Sequence, residues 1–157
     1  MKVTLNKLDK SVWDKFTIRQ KTIVGHEDTK TIPLIFDWEK KTRKIYHKNF
    51  EFFAPHLSDL TLFLQYNNFD SAILRANLVM LKAGYSIAPH VDKGNFLNST
   101  RRLHIAVETN PLCRFVVAEE EKVFKVGEVW EVNNTDKKHS VHNDGNQDRV
   151  NLIVDVQ

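Results

Sequence analysis

His90 and Asp92 stand two residues apart, and His139 follows almost fifty residues later. In extended backbone, residues i and i+2 point to the same side, so His90 and Asp92 can face one ion. Two imidazoles and one carboxylate on one cation form the facial set that holds non-haem Fe(II) and leaves coordination positions open. Open positions on a redox metal imply chemistry with O₂ and a bound co-substrate. A lone His-x-Asp is common in exposed turns, so the distant imidazole carries the argument. His142 competes for that place. It lies three residues beyond His139 and faces the opposite way if the segment is a strand. The spacing favours His139 and keeps His142 as the alternative.

A 2-oxo acid co-substrate also needs a cationic anchor in an apolar pocket, and arginine suits bidentate carboxylate binding. Arg149 opens the run Arg149-Val150-Asn151-Leu152-Ile153-Val154-Asp155. Arg102 stands two residues before His104 and shares its face. Arg75 shares a face with Asn77 and Val79 and is read either as a clamp for a substrate carboxylate or as half of a structural ion pair.

These residues need a scaffold. From Ser71 onward the apolar pattern has a period of two. It predicts strands over 73–81, 101–107, 114–118, 122–126, 129–132 and 150–156, punctuated by Gly84, Gly94, Gly127 and 143–145. Many short strands at this pitch argue for a mainly β fold with flanking helices, a double-sheet jelly roll. The front part, 1–70, reads as helical and irregular, packing on a catalytic core of 71–157 within one domain. Leu8, Val12, Phe16 and Arg19 fall near a helical period beside Trp13. The run 31–36, broken by Pro33, reads as an edge strand or extended segment. A helix is expected from about Ala54 to Tyr66, with Pro55 in its first turn and Leu57, Leu60 and Leu64 as a core-facing stripe.

The chain has 157 residues, 41% hydrophobic and 27% charged, with a net charge of +3, the composition of an ordinary globular domain. Residues 1–60 carry 12 Lys/Arg against 8 Asp/Glu. That excess is too weak to argue for nucleic acid, since no basic run is interleaved with aromatics. Cys113, the single cysteine, excludes an intrachain disulfide and reads as a half-buried strand position. No stretch has the length of a membrane span or of a signal sequence, so the expected compartment is the cytoplasm. Trp130 is expected in the core, Glu119–Glu121 in a solvated hairpin turn, and His47 and His56 at the surface. Tyr85 and Ser86 precede the ligand segment and are further candidates for substrate contact.

From about Leu74 to Val156 the chain resembles the aspartyl/asparaginyl β-hydroxylase family of Fe(II)- and 2-oxoglutarate-dependent dioxygenases. The resemblance rests on Ile87-Ala88-Pro89-His90-Val91-Asp92, Arg102-Leu103-His104, Gly127-Glu128-Val129-Trp130, His139-Ser140 and Arg149 through Asp155, in the family's order and near its spacing. The free-proline hydroxylases are similar in the same elements. The resemblance implies a cupin-like double-stranded β-helix. It implies His90, Asp92 and His139 as iron ligands, Arg149 on the distal carboxylate of 2-oxoglutarate, and Arg102 and His104 by its metal-bound end. Some peptide-hydroxylating members have glycine in place of the carboxylate ligand; Asp92 puts this chain with the full-triad members. Val79 stands where some members have a serine on the co-substrate, a contact that is then either absent or supplied by Asn77. The implied cofactors are Fe(II), 2-oxoglutarate as co-substrate and O₂, with ascorbate as an optional reductant. The implied reaction decarboxylates 2-oxoglutarate to succinate and CO₂ and hydroxylates a C–H bond of a peptide, a protein or an amino acid.

Three functions are therefore expected in descending order. The first is hydroxylation of an aspartyl, asparaginyl or other residue in a peptide or protein. The second is hydroxylation of a free amino acid such as proline, which calls for an enclosed cavity with a second arginine. The third is a metal-binding cupin without turnover, which leaves Arg102, His104 and Arg149 without a purpose. Substrate identity and oligomeric state are not legible at this level.

Overall fold

In a computed structural model of the chain, residues 5–7, 9–17, 20–21, 25–36, 45–46, 50–67, 73–132 and 134–157 are described. Among the described residues, the elements that follow a 3₁₀ turn, Lys10–Asp14, are ten strands and two helices. The strands are β1 (Thr29–Phe36), β2 (Ile45–Tyr46), β3 (Ile73–Leu81), β4 (Ser86–His90), β5 (Arg101–Glu108), β6 (Cys113–Val117), β7 (Glu120–Lys122), β8 (Val129–Glu131), β9 (His139–Asn143) and β10 (Arg149–Val156). Helix α1 spans Phe50–Tyr66 and helix α2 spans Asn95–Asn98. A six-stranded sheet runs β2-β1-β3-β10-β5-β8 and a four-stranded sheet runs β4-β9-β6-β7. This is the expected jelly roll, a cupin-like double-stranded β-helix.

The large sheet has two buried faces, and strand parity assigns residues to each. Ile32, Leu34, Ala76, Leu78, Leu103, Val107, Leu152 and Val154 form one core with Phe53, Leu57, Leu60 and Leu64 of α1 and with Trp13. The helix residues recur at intervals of four, three and four, which keeps them on one stripe. The opposite face carries the alternate residues and looks toward the small sheet, where Leu81, Ile87, Ala106, Phe115 and Val141 pack together. All eight residues of β10 are buried because both of its faces are covered. Leu152 is 1% exposed. Leu152→Ala is expected to cost about 2–5 kcal/mol through lost burial and a residual cavity, measured by urea unfolding.

Several expectations are corrected. The front part contributes more strand than the short extended run expected at 31–36. β1 lies inside the large sheet, pairing with β3 from Thr29↔Leu81 to Ile35↔Ala76. Pro33 stands where the register to β3 shifts, between Pro33 and Ile35, an irregularity of the kind that accommodates proline in a sheet. Helix α1 begins at Phe50, so Pro55 lies inside it; burial of Phe53 draws the earlier turn onto the sheet. The strand expected over 122–126 is instead Glu120–Lys122. The chain reverses at Ala118-Glu119, with Ala118 at φ 53°, and Val117 pairs at once with Glu120. Glu119 is thus in the turn, and Glu120 and Glu121 are exposed on an edge strand, where charge discourages further pairing. Val12 and Trp13 are buried in the 3₁₀ turn; Leu8, Arg19 and His47 lie outside the described residues. Cys113 is fully buried, and burial raises its thiol pKa. Among the described residues no helix is long and apolar enough to cross a membrane.

Candidate metal centre

β4 and β9 are neighbours in the small sheet, with Ser86↔His142 and Ile87↔Val141 in register. The pairing then shifts, and His90 lies directly across from His139. The irregularity falls at Ala88-Pro89, on an edge strand, where a proline and a bulge are both accommodated. As a result the two imidazole rings come within 4.2 Å, centroid to centroid. Beyond the strand the chain is held by the Asp92 N–H donating to the Asn134 carbonyl at 2.8 Å. This places Asp92 Oδ1 3.5 Å from His90 Nε2 and 4.0 Å from His139 Nε2. The ligand atoms of His90, Asp92 and His139 all lie within 4.8 Å of one another, a group able to hold a metal ion. Gly94, at φ 131°, then turns the chain into α2.

Two of the three, His90 and Asp92, are oriented by a second contact. His90 Nδ1 lies 2.8 Å from the Ala88 carbonyl, which requires a proton on Nδ1 and leaves Nε2 as the lone pair. The other oxygen of Asp92, Oδ2, accepts from Arg102 Nη1 and from Asn134 Nδ2. Arg102 is held in turn by Asp155, with Nε donating to Oδ1 at 2.6 Å and Nη2 to Oδ2 at 3.0 Å. Burial alone raises the Asp92 pKa. The hydrogen bond with His90, the Arg102 charge, Asn134 and His139 outweigh it and hold the carboxyl well below the ordinary range. Burial also lowers the His139 pKa, against the opposing pull of Asp92. The centre thus presents an ionised Asp92 and a His139 imidazole shifted toward its neutral form, as metal binding requires.

The cavity behind these groups is lined by His104, Phe115, Val79, Ile153 and Arg149, with His26 and Arg102 at its metal end. His104 is 5% exposed, and neither of its ring nitrogens has a hydrogen-bond partner. Burial, followed by the charges of Arg149 and Arg102, drives its pKa well below 6.5. Arg149 is 4% exposed, its Nη2 has no partner, and burial lowers its pKa to about 10, so it stays cationic at neutral pH. A buried cation without an acid partner is costly unless something anionic meets it. The unpartnered polar atoms of Arg149 and His104, in the same lining as the triad, suit an anionic ligand.

His104 has a consequence for stability. It is neutral when folded and titrates freely when unfolded, so below about pH 6.5 the unfolded chain binds more protons. Stability is expected to fall with pH there, by up to about 1.4 kcal/mol per pH unit from this group. His104→Gln should flatten the decline, measured as melting temperature between pH 7 and pH 5.

The structure brings His90, Asp92, His139, His104 and Arg149 together around one cavity. Arg102 lines it too, but its guanidinium is engaged by Asp92 and Asp155. Asn77 is 5% exposed on the same sheet face, with its Oδ1 unpartnered. His142 is on the other face of β9, with its Nε2 3.2 Å from Ser140 Oγ. Arg75 is stacked 3.4 Å from the Phe96 ring centroid and 4.8 Å from that of Phe36, and does not line the cavity. Tyr85 and Ser86 are exposed and do not line it either. Trp130 is half-buried against Phe124 at 5.6 Å. Three functional neighbours escape a sequence reading. Asn134 and Asp155 are remote along the chain from the groups they hold. His26, whose ring is 5.4 Å from that of His90, comes from the segment preceding β1.

The aspartyl/asparaginyl β-hydroxylase family model matches residues 4–157, and the chain belongs to that family. Among solved structures it is similar to a 2OG-Fe(II) oxygenase-family oxidoreductase from Burkholderia pseudomallei, with TM-score 0.60 and 15% identity over 83% of this chain and 68% of that one. It is also similar to the plu4264 protein of Photorhabdus luminescens, with TM-score 0.52 and 13% identity over 96% and 85%. These likenesses concern the fold. No curated protein matches the chain by sequence.

Proposed function

We propose that this protein is an Fe(II)- and 2-oxoglutarate-dependent dioxygenase that hydroxylates an aspartyl, asparaginyl or other residue of a peptide or protein. The observation that carries the reading is that His90, Asp92 and His139 line one cavity with a buried Arg149 whose Nη2 has no partner. Iron with 2-oxoglutarate and O₂ would supply the oxidation, with succinate and CO₂ as the co-products.

The chain's residues divide the remaining work. His90 and His139 would offer Nε2, and Asp92 would offer Oδ1. Arg102 and Asn134 hold the second oxygen of Asp92, so the carboxylate presents one atom to the cation. Arg149 would pair with the distal carboxylate, and neutral His104 would donate or accept beside the inner end without adding charge. Phe115, Val79 and Ile153 exclude water, which strengthens each of these polar contacts.

A residue in a peptide is favoured over a free amino acid by the state of Arg102. Of the two guanidinium groups lining the cavity, it already has two acids, and Arg149 serves the dicarboxylate. Among the described residues, no second arginine in that cavity is left for an amino-acid carboxylate.

The test is turnover. Protein supplied with Fe(II), 2-oxoglutarate and ascorbate in air is screened with Asp- and Asn-containing peptides and with free amino acids. The expected result is succinate formation stimulated by a peptide that gains the mass of one oxygen atom. Stimulation by free amino acids alone would replace the peptide reading. No 2-oxoglutarate binding or turnover would remove both.

A further inference from the structure

Arg149 has a polar neighbour on its own strand face that no role yet accounts for. Asn151 lies between Arg149 and Ile153, both of which line the cavity. In register it is opposite Val79 of β3, a third lining residue, and opposite Ala106 of β5. It is 0% exposed, and both Oδ1 and Nδ2 lack hydrogen-bond partners. A carboxamide buried with neither atom satisfied is rare, because each orphaned group forfeits its hydration. β10 is otherwise apolar at every position between Arg149 and Asp155, so packing alone would be served better by leucine or valine at this place. Thr31 adds to the pattern. It is opposite Val79 from the other side, is 1% exposed, and its Oγ1 is also unpartnered.

Arg149 Nη2 is a donor and Asn151 Oδ1 an acceptor on adjacent same-face positions, yet neither has a partner. We infer that Asn151 is a second anchor of the co-substrate, its Nδ2 donating to the carboxylate that Arg149 neutralises. This rests on the 2-oxoglutarate reading above. The charge of Arg149 sets the affinity for an anion, while the carboxamide adds a directional donor that fixes how the carboxylate sits. Such a donor also discriminates. A ligand whose chain is too short to bring a second carboxylate to the end of the cavity forgoes both contacts.

The test is calorimetric titration of 2-oxoglutarate into Mn(II)-loaded protein, paired with melting temperatures of the ligand-free protein. Asn151→Leu, near in volume, is expected to weaken 2-oxoglutarate binding by about tenfold or more, the usual worth of a hydrogen bond to a charged group. The ligand-free melting temperature should hold or rise, because the unsatisfied amide is gone. Should Asn151→Leu fail to fold, Asn151→Ala, which also lacks the donor, is expected to show the same weakening. Unchanged affinity in the folded variant overturns the inference and leaves the 2-oxoglutarate reading intact. Absence of binding by the wild-type protein overturns the reading itself.

Discussion

Asp92→Ala is expected to leave a folded protein that forms no succinate above background. Every contact of the carboxylate explains why the two outcomes separate. Oδ1 faces the imidazoles, so its loss would remove one of the three proposed ligands and with it the chemistry that the metal would supply. Oδ2 is held by Arg102 and Asn134. After the substitution Arg102 keeps both hydrogen bonds to Asp155, so the guanidinium is not left as an uncompensated buried charge. Asn134 does lose a partner, and the cost should be about 1–3 kcal/mol. His90→Ala should behave alike. The assay is 2-oxoglutarate decarboxylation, alongside Mn(II)-dependent stabilisation in thermal melts. Wild-type protein should melt higher with the ion, through binding to the folded state alone, and neither variant should. Wild-type turnover in both variants would show that the centre lies elsewhere.

Arg149→Met should move stability and ligand binding in opposite directions. The guanidinium is buried, cationic and without an acid partner among the described residues. Methionine fills similar space with no charge to desolvate, so the ligand-free protein should gain about 1–4 kcal/mol. The same change removes the counter-charge for a carboxylate. Loss of a buried charge contact of this kind is worth about 2–5 kcal/mol, or roughly thirtyfold to several thousandfold in affinity. Thermal melts read the first effect and titration of 2-oxoglutarate into Mn(II)-loaded protein reads the second. A variant that melts lower and binds normally would make Arg149 a structural cation instead.

Much of the scaffold behind these predictions was legible in the chain. The period-two runs located β3, β5, β6, β8 and β10 to within a residue or two, because strands with one face on a core must alternate or, when both faces are covered, stay apolar throughout. The 122–126 segment misled because Val123, Phe124 and Val126 look like strand residues. Phe124 is in fact buried as part of an aromatic stack with Phe115 at 5.1 Å, outside any strand. Helix α1 was recognised by its stripe, yet its start was displaced by taking Pro55 as a boundary. Tertiary burial of Phe53 held the preceding turn in spite of the proline.

At the site, residue types and parity were readable without coordinates. His90 and Asp92 at i and i+2, His139 rather than His142, and Arg149 on the face of β10 opposite its helix-packed core all follow from the two-residue period of a strand, which is local and independent of partners. What the chain could not disclose was which groups answer one another across it. Arg102 reads as a carboxylate clamp for a ligand, but the β5–β10 register puts it beside Asp155, and the loop containing Asn134 brings it onto Asp92. The bulge at Ala88-Pro89 that sets His90 opposite His139, and the segment that carries His26 over the same cavity, are likewise products of pairing between distant elements. Electrostatic partnership depends on separations of a few ångströms, and only the packed sheets determine those.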